Sequence, residues 1–493
     1  MKSSVKSFIA AIGTILMTAV SCNKELAETT DSNLEKHTCE MKLVGSLVNF
    51  DGPETRADAN ATTWADGSVI YLRMASPLGT TTGEAVYSSS KDVWTISYYG
   101  SLYEGVSNTC TALYLEDKVS YDNSLFTLDE GTVIYEDLEG SYIFEEGDLV
   151  VTANLNPKTG RIRFSGTAGS ILKVYGVTHY NTYDIGTNIY TATTEPFKLT
   201  VGEDGYTPYF YGYFTNTDEP NVKVWIDAKE AYTRFCSKDI FNAGQSGKMT
   251  IPTAGSHNGW VDGLHFNVNG AQFKMVAVEG GTFVMGDPTS TSSYDTAHDV
   301  TLTGFCIGET EITNFLVDRI SNPESNTASP NHPYRSKYLR YSYITSIAAD
   351  LNKIEQLGFT LPSEAQWEFA AKGGIKSMGY KFSGSNDINE VAWNSNNSGG
   401  TAHEVKLKLP NELGIYDMSG NVSEFVLDSH STYPASAQID PVYIYTGSNT
   451  DYKVYRGGYW SSGETSCTTY YRNYTSKSSE NSYIGGRLAL NWN

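Results

Sequence analysis

Leu361-Pro362-Ser363-Glu364-Ala365-Gln366-Trp367-Glu368-Phe369-Ala370-Ala371 is the stretch on which the reading of this chain turns. Ser363, with Gln366 three residues on, is a capping box. The hydroxyl accepts from the third amide of the helix, and the glutamine reaches back to the cap. Pro362 marks the entry, and Gly373-Gly374 marks the stop. Just upstream, Ile344, Ile347, Leu351 and Ile354 fall on one face of a helix predicted over 343–357. This half of the chain therefore mixes helix and strand.

Towards the N-terminus the pattern changes. From 41 to 252 no helical period of useful length occurs, and short alternating runs are broken by Gly, Asn and Asp. Thr62-Thr63-Trp64, Ala65-Asp66-Gly67 and Ser68 to Leu72 read as strand, tight turn and strand. Leu149 to Leu155, Asn156-Pro157-Lys158-Thr159-Gly160 and Arg161 to Phe164 read as a hairpin. About 210 residues of this kind predict two β-sandwiches, 41–148 and 149–252. The Gly/Pro-containing stretch 253–267 reads as a linker to a C-terminal domain over 268–493.

The 493 residues carry 56 acidic against 35 basic side chains, a net charge of −21. That balance argues against nucleic acid as a partner, and against electrostatic docking on anionic lipid. The six cysteines form no CxxC, and the eight histidines are scattered, so neither a disulfide framework nor a zinc site is indicated. Lys2 and Lys6, the apolar run 8–20 and Ala19-Val20-Ser21-Cys22 resemble a bacterial lipoprotein signal. Residues 1–21 would be removed, Cys22 acylated and 22–40 left as a tether, which places the chain on the outer membrane at the cell surface. The alternative is a plain secretory signal.

Asp51-Gly52-Pro53-Glu54-Thr55-Arg56, the turn at Ala65-Asp66-Gly67 and Ser246-Gly247-Lys248-Met249-Thr250-Ile251-Pro252 resemble the fimbrillin-like proteins of Bacteroidetes. The resemblance implies cell adhesion, a fimbrium and other pilus subunits as partners. It also offers Arg56 as a processing point, against the reading of an ordinary exposed arginine.

The C-terminal motifs are more specific. Val278 to Gly286, Gly308 to Asn314, Leu361 to Ala371, Gly414 to Glu424 and Tyr455-Arg456-Gly457-Gly458 follow the order and spacing of the formylglycine-generating enzyme (sulfatase-modifying factor) family, whose α+β fold is related to C-type lectin domains. In that family two cysteines bind copper(I), a soft ion suited to thiolate. The matching positions here are Ser462 and Cys467, so the resemblance implies no copper and no enzyme. Relatives that join sulfur to histidine derivatives carry iron ligands in an extra helical domain, which this chain replaces with β-structure. A family calcium loop maps onto Asp417 and Glu424 by carboxylate and Gly420 and Val422 by carbonyl, hard donors that suit a structural calcium. The alternative is that these side chains cap local amides.

Tyr459 to Gly485 is almost free of aliphatic residues and rich in Tyr, Ser, Thr and Asn. That is the composition of antibody-like binding surfaces. It resembles the variable segment of diversity-generating-retroelement proteins, which share the lectin-like fold. Gly486 departs from the family, which has Phe there. The contacts expected are Tyr459, Ser462, Glu464, Ser466, Thr468, Tyr470, Asn473, Tyr474, Asn481 and Tyr483, with Tyr471 and Arg472 packing inward. The sequence thus reads as a lipid-anchored adhesin that binds a glycan or protein ligand on another cell. A sulfatase-modifying-type enzyme and a structural pilus subunit are the alternatives.

Overall fold

The computed structural model describes residues 36–47 and 64–492, apart from short breaks at 103–107, 116–119, 123–124, 129–133, 146–147, 215–219, 237–242, 244–245, 253–256, 258, 291, 293, 326, 336–338 and 448–450. The signal segment 1–21, Cys22 and Arg56 lie outside the described residues.

Alternation builds the first unit. Ile70, Leu72 and Met74 on one strand, and Trp94, Ile96 and Tyr98 on another, send every second side chain into one core. Seven strands close into a barrel in the order Lys36–Leu47, Val93–Tyr99, Gly79–Ser88, Val69–Ser76, Thr109–Leu115, Ile134–Glu145 and Asp148–Pro157. The last strand pairs in parallel with the first, Met41 opposite Leu149. Closure leaves neither strand as an exposed edge. The turn at Ala65-Asp66-Gly67 forms as expected, with Ser68 N donating to Ala65 O at 3.0 Å.

Three sequence expectations are corrected here. Residues 36–40 are strand rather than tether, because Lys36 to Glu40 pair with Tyr99 to Thr95. The domain boundary is not at 148, because Asp148–Pro157 completes the barrel. The hairpin across Lys158-Thr159 does not exist as a pair. Both strands are present, but Gly160–Ser165 pairs with Phe210–Gly212 and Ser246–Thr250 instead. Period-2 alternation identifies a strand and its inner face, but it does not choose the partner.

The second unit packs that three-stranded sheet against a five-stranded one, ordered Phe197–Thr200, Ile171–Tyr175, Asn221–Ile226, Glu230–Phe235 and Val261–Asp262. Phe164, Val174, Phe197, Phe210, Val224 and Trp260 fill the space between them. The linker predicted over 253–267 is shorter than expected. Val261–Asp262 joins this sheet, and Leu264–Val268 opens the C-terminal one.

In the C-terminal domain, Leu264–Val268, Ala271–Val278, Phe305–Gly308 and Ala489–Asn491 form one sheet, which joins the beginning of the domain to its end. A second sheet has the order Arg472–Ser476, Tyr452–Arg456, Ser423–Ser429 and Ile484–Gly486. Helix α1 (Asn314–Ser321) packs on the first sheet and on α2 (Tyr341–Glu355), and α3 (Glu364–Ala371) packs on the second. The capping box on α3 is complete: Gln366 N donates to Ser363 Oγ, and Ser363 N donates to Gln366 Oε1. Ile344, Ile347 and Leu351 of α2 are buried as expected, while Ile354 is exposed.

The second unit and this domain share a core. Tyr175 and Trp225 sit in one cluster with Leu264, Leu316 and Leu351. Trp492 packs edge-on against Trp225 at 4.9 Å and accepts from Lys173 Nζ at 3.0 Å. Gln356, just past α2, accepts from the Thr194 hydroxyl at 3.1 Å.

Candidate ligand-binding face

The Tyr-rich segment stands on a buried ionic frame. Arg456 is fully enclosed and donates to Glu364 Oε1 and Glu368 Oε2, both at 2.7 Å. Arg472 grips Glu364 with two bonds, Nε to Oε1 at 2.8 Å and Nη2 to Oε2 at 2.6 Å. Two of the motifs read from sequence, around Glu364-Glu368 and around Arg456, are thus the two halves of one contact. Burial alone would raise both carboxyls. Arg472 and Arg456 on Glu364, and Lys372 and Arg456 on Glu368, outweigh it and hold both below the ordinary range. The expectation that Arg472 packs inward is met.

The turn after Arg456 needs glycine. Gly458 has a φ of +71°, and a Cβ there would meet Ser466 O at 2.6 Å. Gly486 is explained in the same way. A Cβ would meet Ile344 Cγ2 at 2.6 Å, so α2 fills the space that the family's Phe would need.

Above this frame the segment leaves the domain at the edge strand Arg472–Ser476. The ten expected contacts divide. Tyr474 is 47% exposed, and Glu464 is also exposed. Tyr459, Ser466, Tyr470, Asn473 and Tyr483 are half-buried. Thr468, Ser462 and Asn481 are buried at 1%, 8% and 7% exposure, and Thr468 lines the cleft described below. Their polar atoms turn inward to hold backbone. Ser462 Oγ accepts from Tyr459 N at 3.0 Å, and Asn481 N and Nδ2 bond to Leu339 O and Ser479 O. Composition alone could not separate these from their exposed neighbours.

Aromatic rings on this face form two groups. Tyr459 and Tyr483 stack at 4.6 Å. On the other side, His430 lies between Tyr294 at 5.2 Å and Tyr474 at 3.8 Å, with Tyr452 edge-on to Tyr474. Beside this second group opens a cleft of about 340 Å³, lined by Asp287, Asp295, Lys381, Thr465, Tyr470 and Arg472 among others. Asp287, Asp295, Tyr294 and His430 were not found from sequence. They come from distant loops, and only the fold brings them to the segment.

The thiol of Cys467 is enclosed by Phe382, Ile388, Val391 and Ala392, and burial pushes it up to about 12. A thiol so placed is protonated at neutral pH, the opposite of what nucleophilic or metal chemistry requires.

The calcium expectation fits only in part. Glu424 has donors on both oxygens: Arg487 Nη2 on Oε1 and Trp367 Nε1 on Oε2, each at 2.7 Å. Asp417 accepts from Lys406 N with Oδ2, while its buried Oδ1 has no partner. Val422 N donates to Glu311 Oε1 at 3.0 Å, placing a third buried carboxylate against the same loop. Among the described residues no group of three or more His, Cys, Asp or Glu is arranged to hold a metal ion.

Residues 266–492 match the Sulfatase-modifying factor enzyme 1-like domain. The chain is 31% identical over 235 residues to chaperone protein LppX of Paenibacillus barcinonensis, covering 38% of this chain and 78% of that protein. The chain belongs to this family. It is 30% identical over 159 residues to the formylglycine-generating enzyme of Streptomyces coelicolor, covering 29% of this chain and 47% of the enzyme. Among solved structures it resembles Treponema denticola variable protein 1, with 26% identity, 46% of this chain and 98% of that chain covered, and a TM-score of 0.41.

Proposed function

We propose that this chain is a non-enzymatic, cell-surface ligand-binding protein of the adhesin type, and that it binds through the face built on Arg472–Ser476. One observation carries the reading. A tyrosine- and hydroxyl-rich segment with little aliphatic content stands on a fully buried Arg–Glu frame, so its rings are presented without being free to collapse. Rigid aromatic rings beside small polar groups bind at low entropic cost. Tyr474, Tyr294 and Tyr470, with the cleft of mixed charge beside them, make up the central contact. The ligand is a glycan or a protein on another cell. The fimbrillin-like resemblance of 41–252 and the lipobox at Cys22 support a lipid-anchored, outer-membrane setting with pilus subunits as further partners. Calcium enters this reading only as a structural ion at Asp417 Oδ1, and the binding face does not depend on it.

Labelled protein applied to epithelial monolayers and to a glycan array provides the test. On the surface that retains it, Tyr470→Ala and Tyr474→Ala should each weaken binding by about 2 kcal/mol, roughly 30-fold. Unchanged affinity in both variants would place the site elsewhere. The enzymatic alternative predicts formylglycine by mass spectrometry in a cysteine-containing sulfatase peptide incubated with the protein and copper(I). The buried Cys467 and the serine at 462 predict none.

A further inference from the structure

The seam between the second β-unit and the C-terminal domain is pinned at two ends, by Trp492 on Trp225 and Lys173 and by Gln356 on Thr194. Between the pins it does not close. A cleft of about 160 Å³ remains, with Tyr175, Phe214, Phe266 and Leu357 among its walls. Two charged side chains line it from opposite sides. Lys223, on the strand Asn221–Ile226, is only 5% exposed. Its ammonium donates to Asn221 Oδ1 at 2.6 Å and lies over the Phe266 ring at 4.8 Å, which leaves two of its three donors to the cleft. Glu355, the last residue of α2, is half-buried, and no hydrogen bond or ion pair among the described residues reaches its carboxylate.

Burying unpaired charge is costly, and across the gap the two groups attract each other without forming an ion pair. Burial has acted on both: the lysine is pushed down to about 8 and the glutamate upward. The space admits a small polar molecule.

We propose that this inter-domain cleft is a binding site for a small zwitterion of the α-amino-acid class. The ligand's carboxylate would meet Lys223, and its ammonium would meet Glu355. The proposal is independent of the Tyr-rich face.

The probes are glycine and alanine, with acetate and methylammonium as half-ligand controls, each titrated from micromolar to tens of millimolar against the full chain at pH 7. A ligand that binds only the folded state raises the melting temperature in proportion to the logarithm of its concentration once above Kd. Glycine or alanine should give a shift of this logarithmic form with a Kd at or below the millimolar range, at least tenfold tighter than either control. Lys223→Met and Glu355→Gln should each abolish it. Both variants are first checked for a wild-type circular dichroism spectrum. If either misfolds, ligand-induced chemical shifts of the Phe266 and Tyr175 rings in the wild-type chain decide the matter. Acetate binding as tightly as glycine would reduce the site to an anion pocket and overturn the proposal. So would a shift that survives Glu355→Gln, or no shift and no ring perturbation at all.

Discussion

The C-terminal domain holds two buried ionic clusters of similar enclosure and opposite electrical outcome. Around α3, Glu364 and Glu368 face Arg456, Arg472 and Lys372, and both carboxyls are held down. Around the 417–424 loop, Glu311, Asp417 and Glu424 face one buried cation, Arg487, which contacts only Glu424. There burial wins: Asp417 is pushed up to about 6, and Glu311 rises well above its ordinary value, driven next by the neighbouring Asp417 and Glu424. Burial alone therefore does not decide the charge state. The count of cations in direct contact sets it. The first cluster is a closed frame that fixes the edge strand beneath the binding face. The second lacks positive charge, and it coincides with the loop where the family resemblance places calcium.

Removing the single cation of the second cluster should have the largest effect. Arg487→Met leaves three buried carboxyls unneutralised and strips donors from Gly308 O and Tyr416 O. A loss of about 3–5 kcal/mol at pH 7 is expected by chemical denaturation. Part of it should return at pH 5, where the stranded acids can take up protons. Equal destabilisation at both pH values would mean that lost packing, not charge, is responsible.

Arg456→Met should cost less, about 3 kcal/mol, because Glu364 keeps Arg472 and Glu368 keeps Lys372. Acid should not rescue it, since both acids remain paired. If acidification restores this variant as well as it restores Arg487→Met, the contrast between the clusters fails. Loss of ligand retention in a still-folded Arg456→Met would add that the frame positions the face.

Both clusters were half legible in the sequence. The capping box, the Arg456-Gly457-Gly458 turn and the Gly420–Glu424 loop were all read as landmarks, because each has a local cause: a cap, a φ that favours glycine, a tight loop. That Glu364 and Glu368 close on Arg456, 92 and 88 residues away, has no local signature. The same limit explains the hairpin at 158–159, where alternation was right and the pairing was wrong. It also explains Thr468, Ser462 and Asn481, whose polarity reads as surface until the backbone they satisfy is in place. Asp287, Asp295 and His430 escaped for the complementary reason: an isolated acid or histidine in a loop carries no pattern.

The smallest effect expected is in the unaltered protein. Asp417 and Asp428 are the buried aspartates without a cation in contact, and burial pushes them up to about 6 and about 7. Unfolded, each would titrate near 3.9. A carboxyl raised on folding favours the folded state fully below its unfolded pKa, and that contribution is lost as pH rises through the folded value. Glu364 and Glu368 work in the other direction, and their contribution is lost only as pH falls below about 4.5. Between these limits the C-terminal domain should be most stable at pH 5 to 6, by on the order of 2 kcal/mol over pH 7.5. Calorimetry from pH 4 to 8 should show a melting temperature that climbs on mild acidification and then falls. A flat profile from 7.5 to 5 would overturn the burial argument for Asp428, and a slope that steepens when the scan is repeated in chelator would mean that a cation already neutralises the 417–424 cluster.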